Sequence, residues 1–124
     1  MSKKILVVDD SRTARQQVRN TLVDAGYEVV EAIDGTDGLE KIAGHMDSSL
    51  VICDVNMPNL NGLEMLEALR SKQPSVAVPF ILLTTEAQPE LVRRAKEHGA
   101  KGWIVKPFKP ELLVAAVRKL AGAA

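Results

Sequence analysis

The sequence is poor in the features that announce several classes of protein. It holds one cysteine in 124 residues, so no internal disulfide can form, and a solitary thiol fits a reducing compartment. There is no surplus of charge of either sign, because 16 Lys and Arg balance 16 Asp and Glu. No global field then favours nucleic acid or an anionic membrane, and any charge-based function must be local. Long hydrophobic runs are also missing. The N-terminal MSKKILVVDD carries only a short apolar run with no small-residue cleavage site, which is neither a signal peptide nor a membrane span. No internal repeat or low-complexity tract suggests a solenoid. These exclusions predict a cytoplasmic protein with no nucleic-acid or membrane partner.

What remains is ordinary globular material, 46% apolar and 26% charged. Residues 1–124 suit one domain with one core and leave no room for a second. The stretch around which the chain is organised is Leu50 to Pro58, LVICDVNMP. Leu50, Val51, Ile52 and Cys53 are apolar without alternation, as in a strand buried on both faces of a parallel sheet. Asp54 follows where that strand surfaces, and in open α/β sheets ligands bind outside the carboxyl ends of the strands. Cys53 points to the opposite side from Asp54 and reads as a core filler.

The same pattern recurs along the chain. Ile5 to Val8 end in Asp9 and Asp10, and Ser11 opens a helix running to Ala25, with Ala14, Val18, Leu22 and Ala25 on its apolar face and Gly26 as its stop. Tyr27 to Ala32 read as a strand, and Leu39, Ile42, Ala43 and Met46 as the stripe of a short helix ending near Gly44. After the central strand, Pro58, Asn59, Asn61 and Gly62 form a turn. Asn61 and Glu64 resemble a capping box for a helix carrying Met65, Leu66 and Leu69. Gln73, Pro74 and Ser75 break the chain before Phe80 to Leu83, which run into Thr84. Pro89 opens a helix with Leu91, Val92 and Ala95 that stops at Gly99. Trp103 to Val105 make the fifth strand, ending at Lys106, and Pro110 opens the last helix with Leu112, Leu113, Ala116, Val117 and Leu120 inward. Five alternations of strand and helix predict an α/β fold, an open doubly wound parallel sheet with right-handed crossovers.

On that topology Asp9, Asp10, Asp54, Thr84 and Lys106 all fall on one sheet edge. Carboxylates brought together repel unless a cation sits between them, and oxygen-only donors favour Mg²⁺, so a metal site at Asp10 and Asp54 is expected. Lys106 and Thr84 are the charge and the hydroxyl that would hold an anion such as phosphoryl beside it.

Four separated motifs, VVDD at Val7 to Asp10, CDVNMPNLNGLE at Cys53 to Glu64, LLTTEA at Leu82 to Ala87 and KGWIVKPF at Lys101 to Phe108, resemble the receiver domain of two-component response regulators, of the stand-alone chemotaxis-regulator type. The resemblance implies a flavodoxin-like five-stranded sheet of order 2-1-3-4-5. It implies that Asp54 accepts a phosphoryl group from a phosphohistidine on a sensor histidine kinase, that Asp10 and Asp54 bind Mg²⁺ with the backbone carbonyl of Asn56, and that Asp9 helps through water. Thr84 and Lys106 would hold the phosphoryl oxygens. Thr84 and Trp103 would form the switch, although tyrosine, phenylalanine or histidine is more usual than tryptophan there. Asn56, Glu86 and Thr85 would tune dephosphorylation, Thr85 being larger than the residues common at its place. Receivers usually hold the bond before Pro107 in cis.

The resemblance further implies a signalling phosphoacceptor with self-phosphotransfer and autodephosphorylation rather than a conventional enzyme, acting in chemotaxis or other motility. With no output domain after Ala124, a partner protein is expected to dock on the face of the fourth helix, fifth strand and fifth helix, where Arg93, Arg94, Lys96, Lys101, Lys109, Arg118 and Lys119 concentrate. A phosphatase is a further expected partner. The alternatives are a phosphate sink or phosphorelay intermediate and, from another class, a Mg²⁺-dependent phosphatase of small molecules. The last lacks a second aspartate two residues after Asp54.

Overall fold

Strand and helix alternate through the computed structural model, which describes residues 3–56, 61–72, 78–85 and 88–124. In chain order the elements are β1 (Lys4–Val8), α1 (Arg12–Asp24), β2 (Glu28–Ala32), α2 (Gly35–Gly44), β3 (Leu50–Asp54), α3 (Gly62–Lys72), β4 (Phe80–Thr84), α4 (Pro89–Glu97), β5 (Ala100–Val105) and α5 (Pro110–Ala121). The strands form one parallel sheet of order β2-β1-β3-β4-β5, the flavodoxin-like arrangement.

The central strands are buried at every position of β3 and β4, which accounts for their unbroken apolar sequence. Alternation along them separates two cores. Leu6, Val8, Val51, Cys53 and Leu82 pack with Ile42, Met65, Leu66, Leu69 and Ala95 on the side of α2, α3 and α4. Ile5, Val7, Ile52, Ile81 and Leu83 pack with Val18, Leu22, Leu113 and Val117 on the side of α1 and α5. Cys53 therefore lies on the first face, its thiol 3.6 Å from Met65 Sδ, as its position next to Asp54 predicts.

Helix ends follow the sequence signals. Ser11 accepts from the Ala14 amide and Asp34 from the Asp37 amide as N-caps, each such cap contributing about 1 kcal/mol. Asn61 and Glu64 exchange the reciprocal bonds of a capping box, at 2.9 and 3.1 Å. Pro89 and Pro110 stand in the first turns of α4 and α5, and Gly26 takes the positive φ of 97° that ends the turn after α1.

Several expectations need correction. Ala43 is exposed, and Met46, 62% exposed, lies beyond the end of α2, so the buried stripe of that helix is Gly35, Gly38 and Ile42. Gly38 belongs there because a Cβ would sit 2.8 Å from Met65 Cε, so α2 packs on α3 through a missing side chain. Leu112 is 58% exposed while Leu113, Val117 and Ala121 are buried and Ala116 and Leu120 pack against the core, so the expected stripe of α5 holds except at Leu112, which falls outside the inward face. Tyr27 precedes β2 rather than starting it, and its hydroxyl donates to the Gly122 carbonyl at 2.6 Å. The turn at Pro58 and Asn59, the break from Gln73 to Ser75, and Glu86 lie outside the described residues.

Candidate functional site

Parallel register builds the site. Val8 stands opposite Cys53 in the β1 and β3 pair, so Asp9 and Asp54 leave the sheet side by side at the point where strand order reverses. Thr84 stands opposite Val105 in the β4 and β5 pair, and the Lys106 amide donates to the Thr84 carbonyl at 2.7 Å, which brings Lys106 to the same edge.

The carboxylates converge. One oxygen from each of Asp9, Asp10 and Asp54 lies within 4.8 Å of the others, with Asp9 and Asp54 buried and Asp10 exposed. Asp54 ends its strand but is only 3% exposed, so the strand end does not open to solvent as its polarity suggests. Burial pushes its carboxyl above the ordinary range. The Asn56 amide donating to Oδ1 at 3.0 Å pulls it back, Asp9 raises it further, and the Lys106 ammonium lowers it. That ammonium lies 3.0 Å from Asp9 Oδ2 and 3.5 Å from Asp54 Oδ2. It is the cation between the two buried acids. Asp9 Oδ1 accepts from the Ser11 amide at 2.9 Å, so both its oxygens are engaged. The Lys106–Pro107 bond is cis.

An all-oxygen set of three acids suits a hard divalent ion of the Mg²⁺ kind and disfavours metals that prefer thiolate or imidazole. Beside this cluster Thr84 is 1% exposed, and its hydroxyl donates to Asn56 Oδ1 at 3.1 Å. The Thr85 amide donates to the same oxygen at 3.3 Å. An amide N–H can only donate, which fixes the orientation of the Asn56 carboxamide. Thr85 is exposed at the mouth of the site.

Trp103 is half-buried against the core on the α4 side. Its indole Nε1 is buried without a hydrogen-bond partner among the described residues. With Val92, Ala95, Lys96, Ala100, Lys101 and Gly102 it lines a cavity of about 100 Å³ between α4 and β5. The basic residues expected to share that face are not equivalent. Arg94 is paired with Glu67 on α3 at 3.0 Å, and Arg93 with Glu90 and Glu97, so their charges are already answered. Lys96 and Lys101 flank the cavity with no ion pair among the described residues.

Sequence reasoning missed three contributors. Gly62 reads only as a turn residue, yet a Cβ there would fall 2.5 Å from the Asp54 carbonyl oxygen. Arg15 and Glu31 reach the site from α1 and β2, with Arg15 Nη1 donating to the Asp9 carbonyl at 2.8 Å. Glu31, a charge in the interior of β2 beyond the one at its first residue, Glu28, was the available signal.

The family profile of the response regulator receiver domain matches residues 5–118. Chemotaxis protein CheY1 of Helicobacter pylori is 42% identical over 111 residues, covering 89% of this chain and 90% of that protein. The chemotaxis protein CheY homolog of Campylobacter jejuni is 37% identical over 120 residues, 96% and 92% of the two. Among solved structures, chemotaxis protein CheY4 of Vibrio cholerae superposes with a TM-score of 0.89 at 42% identity, over 97% of this chain and 99% of that one. A match of this extent, at such identities, makes the chain a member of the response regulator receiver domain family, signalling phosphoacceptors that work with histidine kinases and output proteins.

Proposed function

We propose that Asp54 is the phosphoacceptor and that residues 1–124 form one receiver module whose phosphorylation requires Mg²⁺. The observation that carries this reading is the convergence of the Asp9, Asp10 and Asp54 oxygens within 4.8 Å, with Lys106 between two of them. In the transfer an Asp54 carboxylate oxygen bonds to phosphorus as the P–N bond of the donor phosphohistidine breaks, and the imidazole leaves with the electron pair. An acyl phosphate results.

Such transfer depends on alignment and on neutralising the phosphoryl oxygens rather than on covalent chemistry by other side chains. Asp10 and Asp54, with the Asn56 backbone carbonyl, are the residues that would hold Mg²⁺, and Asp9 supports it through water. The bound ion supplies neutralisation of charge on the phosphoryl oxygens. Lys106 turns from the carboxylates to one phosphoryl oxygen, and Thr84 gives its hydroxyl to another. Asn56 and Thr85 border the path of a hydrolytic water, and Glu86 is assigned to the same tuning role by its place in the motif.

Output passes to the face formed by α4, β5 and α5. Movement of Thr84 is followed there by Trp103, and Lys96 and Lys101 offer unanswered charge to an acidic partner segment. The relatives named as chemotaxis proteins favour a motility pathway. Replacement Asp54→Asn tests the assignment: incubation with labelled acetyl phosphate and Mg²⁺ should leave the variant unlabelled. Labelling at the wild-type rate would refute it.

A further inference from the structure

Asp10 is the exposed member of the acidic trio, and among the described residues its carboxylate has no hydrogen-bond or ion-pair partner. Its backbone alone positions it. The peptide joining Asp9 to Asp10 is planar, so restraining its oxygen restrains both Cα atoms that carry the two carboxylates. That oxygen accepts the 2.8 Å bond from Arg15 Nη1. Through Nε the same guanidinium donates to Glu31 Oε1 at 3.0 Å, and the Arg15 side chain is only 14% exposed. Glu31 is itself held, its second carboxylate oxygen lying 3.4 Å from Arg19 Nε and its backbone oxygen accepting from Lys41 at 3.3 Å. A rigid fork thus runs from β2 through α1 to the one peptide shared by two of the acids.

We propose that Arg15, backed by Glu31, is a positioning residue for the divalent ion: it fixes the Asp9–Asp10 peptide so that the otherwise unsupported Asp10 carboxylate meets the metal. The inference rests on the Mg²⁺-dependent reading above. Its sign is opposite to that of simple electrostatics. A guanidinium near three carboxylates opposes a dication, so loss of its charge alone would tighten Mg²⁺ binding, whereas loss of the restraint on Asp10 weakens it.

Titration calorimetry of the unphosphorylated protein with MgCl₂ tests this, alongside thermal unfolding in EDTA to confirm that each variant is folded. Arg15→Gln should raise the Mg²⁺ dissociation constant about tenfold, the lower end of the loss seen when the outer partners of metal ligands are removed. Arg15→Lys should weaken binding as well, because one ammonium nitrogen cannot reproduce the fork although the charge is kept. If Arg15→Gln does not fold, Glu31→Gln, which keeps size and removes the backing charge, carries the test with a smaller loss. Unchanged or tighter binding in a folded Arg15 variant would overturn the proposal. Absence of Mg²⁺ uptake by the wild-type protein would instead overturn the reading on which it rests.

Discussion

Gly62 is the position at which fold and chemistry are most sharply coupled, and Gly62→Ala separates them. A methyl built there falls 2.5 Å from the Asp54 carbonyl oxygen, 3.0 Å from its carbon and 3.1 Å from Cys53 Sγ. Ordinary C···O contact is about 3.3 Å, so the overlap is about 0.8 Å, and its target is backbone that cannot rotate aside. Overpacking of this kind costs about 1–3 kcal/mol, while the better helix propensity of alanine returns less than about 1 kcal/mol. The variant should lose about 1–2 kcal/mol in urea unfolding and remain folded. Its phosphorylation should suffer more, because relieving the clash displaces the Asp54 peptide, and a misplacement of about 1 Å costs about a hundredfold in rate. The initial rate with labelled acetyl phosphate should therefore fall about ten- to a hundredfold at saturating Mg²⁺. Gly44→Ala is the control, since a Cβ at Gly44 meets nothing within 4 Å; it should be neutral or stabilising with an unchanged rate. If the two variants behave alike in both assays, the close approach of α3 to β3 at Asp54 is wrong.

Three further predictions concern Asp54, Cys53 and Lys106. Asp54 has its carboxyl raised above 3.8 in the folded chain, mainly by burial, so the fold favours its protonated form and loses stability as pH rises from near that value through the raised one. Asp54→Asn should accordingly unfold at higher urea than wild type at neutral pH in EDTA, with the gap closing near about pH 3; equal midpoints at neutral pH would contradict this. Cys53 is fully buried and its thiol is pushed well up, first by burial and then by Asp54 and Asp9, so a thiol reagent should label it only as the protein unfolds. Labelling of the native protein as fast as free cysteine would show the strand to be open. Lys106→Ala removes the ammonium 3.0 Å from Asp9 and 3.5 Å from Asp54 but leaves the three clustered carboxylates, so calorimetry should find Mg²⁺ uptake retained while the change of partner affinity on phosphorylation weakens. A variant whose partner affinity still responds fully would remove Lys106 from the coupling.

Much of the fold was legible because its central strands, β3 and β4, are buried at every position. Leu50 to Cys53 and Phe80 to Leu83 have no polar interruption that another structure could accommodate, and Ser11, Asn61, Pro89 and Pro110 mark helix starts by local chemistry alone, whereas Asp34, Gly35 and Thr36 read as a turn although Asp34 caps α2. Asp9, Asp10 and Asp54 were legible as a cluster because parallel strands of similar length deliver their ends to one edge. The phase of Leu112 against Leu113 was not, since either leucine satisfies the helical period and only the angle of α5 on the sheet chooses. Arg15 escaped for a related reason. Its contact joins the polar side of a helix to a strand-end carbonyl, and no spacing in the sequence encodes a bond to backbone. The pairing of Arg94 with Glu67 likewise depends on how close α3 and α4 lie, which makes a surface basic in sequence less basic in space.

The Asn56 carboxamide oxygen, shared by the Thr84 hydroxyl and the Thr85 amide, bears on how readily the molecule changes state. A threonine already bonded does not gain a whole new interaction when a phosphoryl oxygen arrives; it exchanges one acceptor for another, and only the difference drives the transition. On the phosphoacceptor reading proposed above, such an exchange would leave both conformations populated, and the docking of a target would then shift the balance in the same direction as the modification.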